Sequence, residues 1–116
     1  AHHLHTADGV ASVFALRGGS TLAVGLLNGS IELWDLRSRG KLSELRRHTK
    51  RISGLCQLPD GRLCSASYDQ TALVWDVMTR ACVGTARPGK KVLCAAVTTD
   101  GRLAVACDQT VTCYKV

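Results

Sequence analysis

Two stretches of equal length end in the same Trp-Asp pair, and their spacing constrains the fold more than any other feature. The first is Leu22-Ala23-Val24-Gly25-Leu26-Leu27-Asn28-Gly29-Ser30-Ile31-Glu32-Leu33-Trp34-Asp35. The second is Leu63-Cys64-Ser65-Ala66-Ser67-Tyr68-Asp69-Gln70-Thr71-Ala72-Leu73-Val74-Trp75-Asp76. A third, weaker copy runs from Leu103 to Tyr114. The turns recur in step with them. Asp60-Gly61-Arg62-Leu63 returns as Asp100-Gly101-Arg102-Leu103, and Asp69-Gln70-Thr71 returns as Asp108-Gln109-Thr110. A fixed period of about 40 residues is the mark of one supersecondary unit stacked on copies of itself.

Each unit reads as short strands separated by turns. Val10 to Leu16 is the first strand, Arg17-Gly18-Gly19-Ser20 a turn, and Thr21 to Leu26 the second strand. Asn28-Gly29 is a hairpin signal because both residues accept positive φ, and Ser30 to Asp35 and Lys41 to Arg46 follow. The cycle repeats with Arg51 to Leu58, Leu63 to Ser67, Thr71 to Asp76 and Ala81 to Ala86. It returns a third time with Lys91 to Val97, Leu103 to Cys107 and Thr110 to Lys115, one strand short. No segment carries the 3.6-residue periodicity of an amphipathic helix. The expected fold is all-β, in four-stranded antiparallel units: the end of a preceding outer strand at 1–5, units at 6–46 and 47–86, and a unit lacking its outer strand at 87–116.

Composition narrows the function classes. Of 116 residues, 46% are hydrophobic and 21% charged, as in an ordinary globular domain. The longest apolar runs, such as Val92-Leu93-Cys94-Ala95-Ala96-Val97, are too short to cross a membrane, and no secretory signal opens the sequence. An intracellular protein, cytoplasmic or nuclear and without membrane contact, is expected. Six cysteines include no C-x-x-C pair and lie in strand-like runs, so they read as small buried hydrophobes in a reducing compartment. His2, His3 and His5 have no neighbouring carboxylate or thiol and read as a solvated end. Asn28-Gly29-Ser30 matches a glycosylation acceptor, but the turn reading takes precedence. No metal, cofactor or phosphate-cradling loop is expected.

The units resemble WD repeats, the blades of a β-propeller, over nearly the whole chain. The resemblance implies a buried hydrogen-bonded tetrad, which falls on His48, Ser65, Asp69 and Trp75 in the second unit. The first unit keeps His5 and Trp34 but has Val24 and Asn28 at the other places. The third keeps Asp108 and has Tyr114 for Trp. Propellers close with about 4 to 8 blades. The expectation is therefore an open arc of three blades within a larger, seven-bladed ring, closed by other blades of a parent chain or by copies of this one.

Ser65, His48 and Asp69 are also the residue types of a hydrolase triad. Ser65 lies inside an alternating strand without the strained elbow that exposes a nucleophile, so no catalytic residue and no enzyme activity is expected. The formal charge is +6, and Arg46, Arg47, His48, Lys50 and Arg51 in one connection correspond to Arg87, Lys90 and Lys91 in the next. The resemblance places these on the propeller's top face, with Arg51, Ser53, Tyr68, Lys91, Leu93 and Leu27 pointing toward a partner protein. A peptide, acidic or phosphorylated, suits such a surface. Nucleic acid is the second choice, because five aromatic residues leave little for base stacking. A further alternative comes from Trp34-Asp35-Leu36-Arg37, which resembles the adaptor-docking motif of substrate receptors of a cullin-type ubiquitin ligase, with Arg37 as the docking residue.

Overall fold

The computed structural model describes residues 3–115 and holds eleven strands in three antiparallel sheets. β1 (Val10–Ala15), β2 (Thr21–Leu26), β3 (Ser30–Asp35) and β4 (Gly40–Arg46) pair in chain order. β5 (Ile52–Gln57), β6 (Leu63–Ser67), β7 (Ala72–Asp76) and β8 (Ala81–Ala86) do the same. β9 (Cys94–Val97), β10 (Leu103–Cys107) and β11 (Thr110–Tyr114) form a sheet of three. The turn chemistry accounts for the hairpins. Gly29 at φ 94° and Gly61 at φ 97° occupy the left-handed region that glycine enters without strain.

Alternation along the strands builds the core between sheets. β1 and β2 lie against β5, and β5 and β6 against β9. Ala23, Ile31, Leu33 and Leu45 of the first sheet meet Ile52, Leu63, Leu73 and Trp75 of the second. Cys56, Cys64, Ala66 and Ala72 meet Val92, Leu103, Val105 and Cys107. The approach at the first junction is close: a Cβ on Gly25 would collide with Ile52 and the Ser12 hydroxyl. These are blades stacked side by side, and the all-β propeller architecture stands as the repeat predicts.

In the segment expected to end a preceding outer strand, Leu4 packs on Val24, Leu26 and Trp34, and residues 1 and 2 lie outside the described residues. Two local features differ from the sequence reading. The ninth strand begins at Cys94 rather than Lys91, because the Val92 N–H turns away to the Ser67 carbonyl (3.0 Å). The cysteines are not uniformly buried. Cys56, Cys64 and Cys107 are, Cys82 is partly so, and Cys94 and Cys113 are exposed. The register places Cys94 and Cys113 on the face of the third sheet that carries Ala96, Ala104 and Val111, away from the second sheet.

Candidate functional site

The strands define two rims. The connections 47–51 and 87–93 and the turns at 27–29, 68–71 and 108–109 share the upper rim. The turns at 16–20, 36–39, 58–62, 77–80 and 98–102 share the lower. Chemistry-bearing residues fall into a buried set below the upper rim and an exposed set on it.

The buried set is the second sheet's tetrad. β6 and β7 are neighbours in an antiparallel ladder, which brings Ser65 and Trp75 to one face, and the 47–51 connection drops His48 beside them. Trp75 Nε1–H donates to Ser65 Oγ at 2.9 Å, and Ser65 Oγ lies 2.7 Å from His48 Nε2. His48 Nδ1 lies 2.8 Å from Asp69 Oδ2. Asp69 also accepts the Thr49 amide (3.1 Å), the Thr71 amide (3.0 Å) and the Thr71 hydroxyl (2.5 Å). Burial pushes the His48 pKa down further than Asp69 raises it, so the ring is neutral, with Nδ1–H donating to Asp69 and Nε2 accepting from Ser65. Burial acts to raise Asp69, but its bonds to Thr71, His48 and Thr49 outweigh that and leave it below the ordinary carboxylate range.

Ser65 and His48 thus have triad-like distances without triad access. Ser65 is 0% exposed, and its oxygen already accepts the Trp75 indole. A nucleophile needs room for a carbonyl and an oxyanion hole at that atom, and this one is enclosed by its own blade.

The first sheet solves the same packing problem differently. His5 is exposed and Asn28 caps its own turn, its Oδ1 accepting Ser30 N–H at 2.9 Å. Trp34 Nε1–H goes instead to Glu32 Oε1 (3.0 Å), a carboxylate 0% exposed that also accepts the Ala7 amide (3.2 Å) and lies 3.5 Å from Lys41 Nζ. The sequence reading missed Glu32. Its signal was legible: a lone carboxylate in an apolar strand, two positions before Trp34 and therefore on the same face. Ser67 was missed as well. It is buried, donates to the Lys50 carbonyl at 2.8 Å and accepts the Asp69 amide at 3.1 Å.

On the rim, the structure brings Arg51, Tyr68 and Lys91 together. Arg51 Cζ lies 5.7 Å, and Lys91 Nζ 5.2 Å, from the centroid of the ring of the partly buried Tyr68. The backbone beneath is pinned: Tyr68 N–H donates to the Arg51 carbonyl (3.1 Å), and the Ser53 hydroxyl donates to the Val92 carbonyl. Ser53 is therefore spent on joining two blades. Leu93, 44% exposed, lines a groove of about 420 Å³ with Gln70, Gly89, Lys90, Lys91 and Asp108. Leu27, 46% exposed, sits in the first sheet's turn against Gly9.

Unpaired cations gather on this rim. Among the described residues, Arg47, Lys50, Arg51, Arg87, Lys90 and Lys91 have no carboxylate within ion-pair distance. Elsewhere the charges are mixed, although Arg17, Arg37 and Arg80 on the lower rim also have no carboxylate within ion-pair distance among the described residues. Arg62 pairs with Asp60, Arg102 with Asp100, Arg46 with Glu44, and Lys41 with Glu32 and Glu44. Arg37 lies on the lower rim, exposed, its amide held by Asp35 Oδ1 at 3.1 Å. Asp35 and Asp76, the acids of the two Trp-Asp pairs, cap the lower turns: Asp76 Oδ1 accepts the amides of Met78 (2.9 Å) and Thr79 (3.2 Å).

Comparison with known proteins agrees with this geometry. The family model described as WD domain, G-beta repeat matches residues 39–76. WD repeat and SOCS box-containing protein 1 of Xenopus tropicalis is 45% identical over 58 residues, 48% of this chain and 14% of that protein. Eukaryotic translation initiation factor 3 subunit I of Culex quinquefasciatus is 37% identical over 78 residues, 66% of this chain and 24% of that protein. The chain thus spans a quarter or less of these relatives. The β-propeller domain of Myceliophteria thermophila Cps50 (Swd1) superposes with a TM-score of 0.85 at 25% identity, over 93% of this chain and 35% of that one. The propeller of Doa1 superposes at 0.83 over 91% of this chain and 36% of that one; at 18% identity it speaks for the fold alone.

Proposed function

Because this chain belongs to the WD-repeat family of β-propellers, whose domains generally mediate protein–protein interaction, we propose that it is a non-catalytic scaffold holding a partner protein on its upper rim. The observation that carries the reading is the set of six cations without ion-pair partners on the upper rim, two of them, Arg51 and Lys91, against the Tyr68 ring, where hydrogen bonds between blades fix the backbone. Leaving charges unpaired contributes nothing to the fold, whereas it favours encounter with an anionic surface. The tetrad supplies the frame, since all four of its side chains are spent on one another. The partner is a protein rather than a nucleic acid, because the Tyr68 ring, the aromatic surface this rim offers, already carries two cations. Other blades of a parent chain, or copies of this one, cover the apolar end faces. The cysteines, none of them disulfide-bonded, suit the cytoplasm or nucleus.

The test is affinity purification with Arg51→Glu and Lys91→Glu combined. Loss of a retained partner at an unchanged melting temperature is expected; an unchanged partner set contradicts the reading. The ligase-receptor alternative rests on Arg37, whose side chain is exposed on the lower rim, near enough to the Asp35 carboxylate to help hold its pKa down. It predicts that Arg37→Ala alone removes an adaptor, and a pull-down in which Arg37→Ala matches wild type ends it.

A further inference from the structure

The groove beside Tyr68 has a more specific chemistry than a basic rim. Gln70 reaches it from the second sheet, Asp108 from the third, and Gly89, Lys90, Lys91 and Leu93 from the connection between them. Its volume of about 420 Å³ has room for one or two peptide side chains. Lys90 and Lys91 stand at one side, and Leu93 offers a half-exposed apolar contact. The Asp108 carboxylate has no hydrogen-bond or ion-pair partner among the described residues.

We infer that this groove takes an extended acidic peptide segment with an apolar side chain between its anionic residues, and that Tyr68 positions Arg51 and Lys91 for it. The inference rests on the upper-rim reading above. Anionic side chains of the segment meet Arg51, Lys90 and Lys91, the apolar one packs on Leu93, and Asp108 accepts a backbone N–H that the segment would otherwise leave unpaired. Asp108 also sets specificity, since a second acid placed against it is repelled. Tyr68 works through the faces of its ring. It attracts both cations, which have no carboxylate partner, and so reduces the side-chain freedom they lose on binding. Because the attraction belongs to the ring rather than the hydroxyl, phenylalanine should replace it and leucine should not. Carboxylates and phosphoserines offer the same anionic chemistry, and the probes below separate them.

Four fluorescent probes test this by anisotropy: a 12-residue peptide with glutamates flanking a central leucine, its phosphoserine-for-glutamate version, its lysine-for-glutamate version, and a 12-nucleotide oligothymidylate. One or both anionic peptides should bind, the lysine peptide should not, and the tighter of the anionic pair identifies the charged group. Tyr68→Phe should keep affinity within about twofold, while Tyr68→Leu and Leu93→Ala weaken it about fivefold at unchanged melting temperature. Tighter binding of the oligonucleotide, equal binding of glutamate and lysine peptides, failure of both anionic peptides, or full affinity in Tyr68→Leu overturns the inference. If any of these occurs while the Arg51→Glu, Lys91→Glu protein still loses its partner, the upper-rim reading survives without it. If that protein keeps its partner, both fall.

Discussion

At the residue scale, the chain is held by polar groups that satisfy one another out of water. His48 is the most exacting of them, since both ring nitrogens are committed. His48→Ala leaves Ser65 and Asp69 short of a partner and should cost about 2–4 kcal/mol in chemical denaturation. Its titration adds a pH signature. The folded pKa lies below the unfolded value, so the unfolded chain takes up the proton first, and the contribution is intact above about pH 6.5 and lost as pH falls below it. Asp69, also lowered, adds a second loss only below the ordinary carboxylate range. Melting temperature should therefore begin to fall near pH 6.5, and His48→Gln should flatten that first slope. Glu32→Ala, which leaves the Trp34 indole unpaired, should destabilise by about 2–3 kcal/mol. Ser43 behaves oppositely. Its hydroxyl is buried without a hydrogen-bond partner, so Ser43→Ala should raise stability by about 1 kcal/mol.

At the scale of strands and sheets, register decides what can be replaced. Gly25 sits where β2 presses on β5, and Gly25→Ala should cost about 1–3 kcal/mol as Ile52 is forced aside; an unchanged midpoint in urea would contradict that packing. This is also where the sequence was most and least readable. Trp-Asp spacing and the Asp-Gly turns locate the hairpins because they are local and periodic. Two things escaped. The start of β9 depends on a hydrogen bond to Ser67 in the preceding sheet, which no local pattern records. Glu32 replaces a serine-type acceptor from a different strand, so a search for the repeat's usual residues at their usual places passes over it. The rim cluster was readable as charge, but not its arrangement around the Tyr68 ring, which depends on how the connections of two successive units fold back toward one turn.

At the scale of the whole molecule, the stack of three sheets ends in two apolar faces. Val10 and Val13 are 52% and 55% exposed on the first sheet, and Val111 is 67% exposed on the third. Such faces favour association. The 116-residue chain alone should self-associate in sedimentation equilibrium, with the tendency reduced by Val111→Lys; a monodisperse monomer at high concentration would contradict this. The division of labour across the molecule is clear: blade interiors carry the frame, and the upper rim carries the cluster of unpaired charge. Site-specific photo-crosslinking tests that division directly. A benzophenone side chain is introduced at position 93 on the upper rim or at position 78 on the lower, where Met78 is 90% exposed. The partner should be captured from position 93 and not from position 78; capture from position 78 alone would contradict that division.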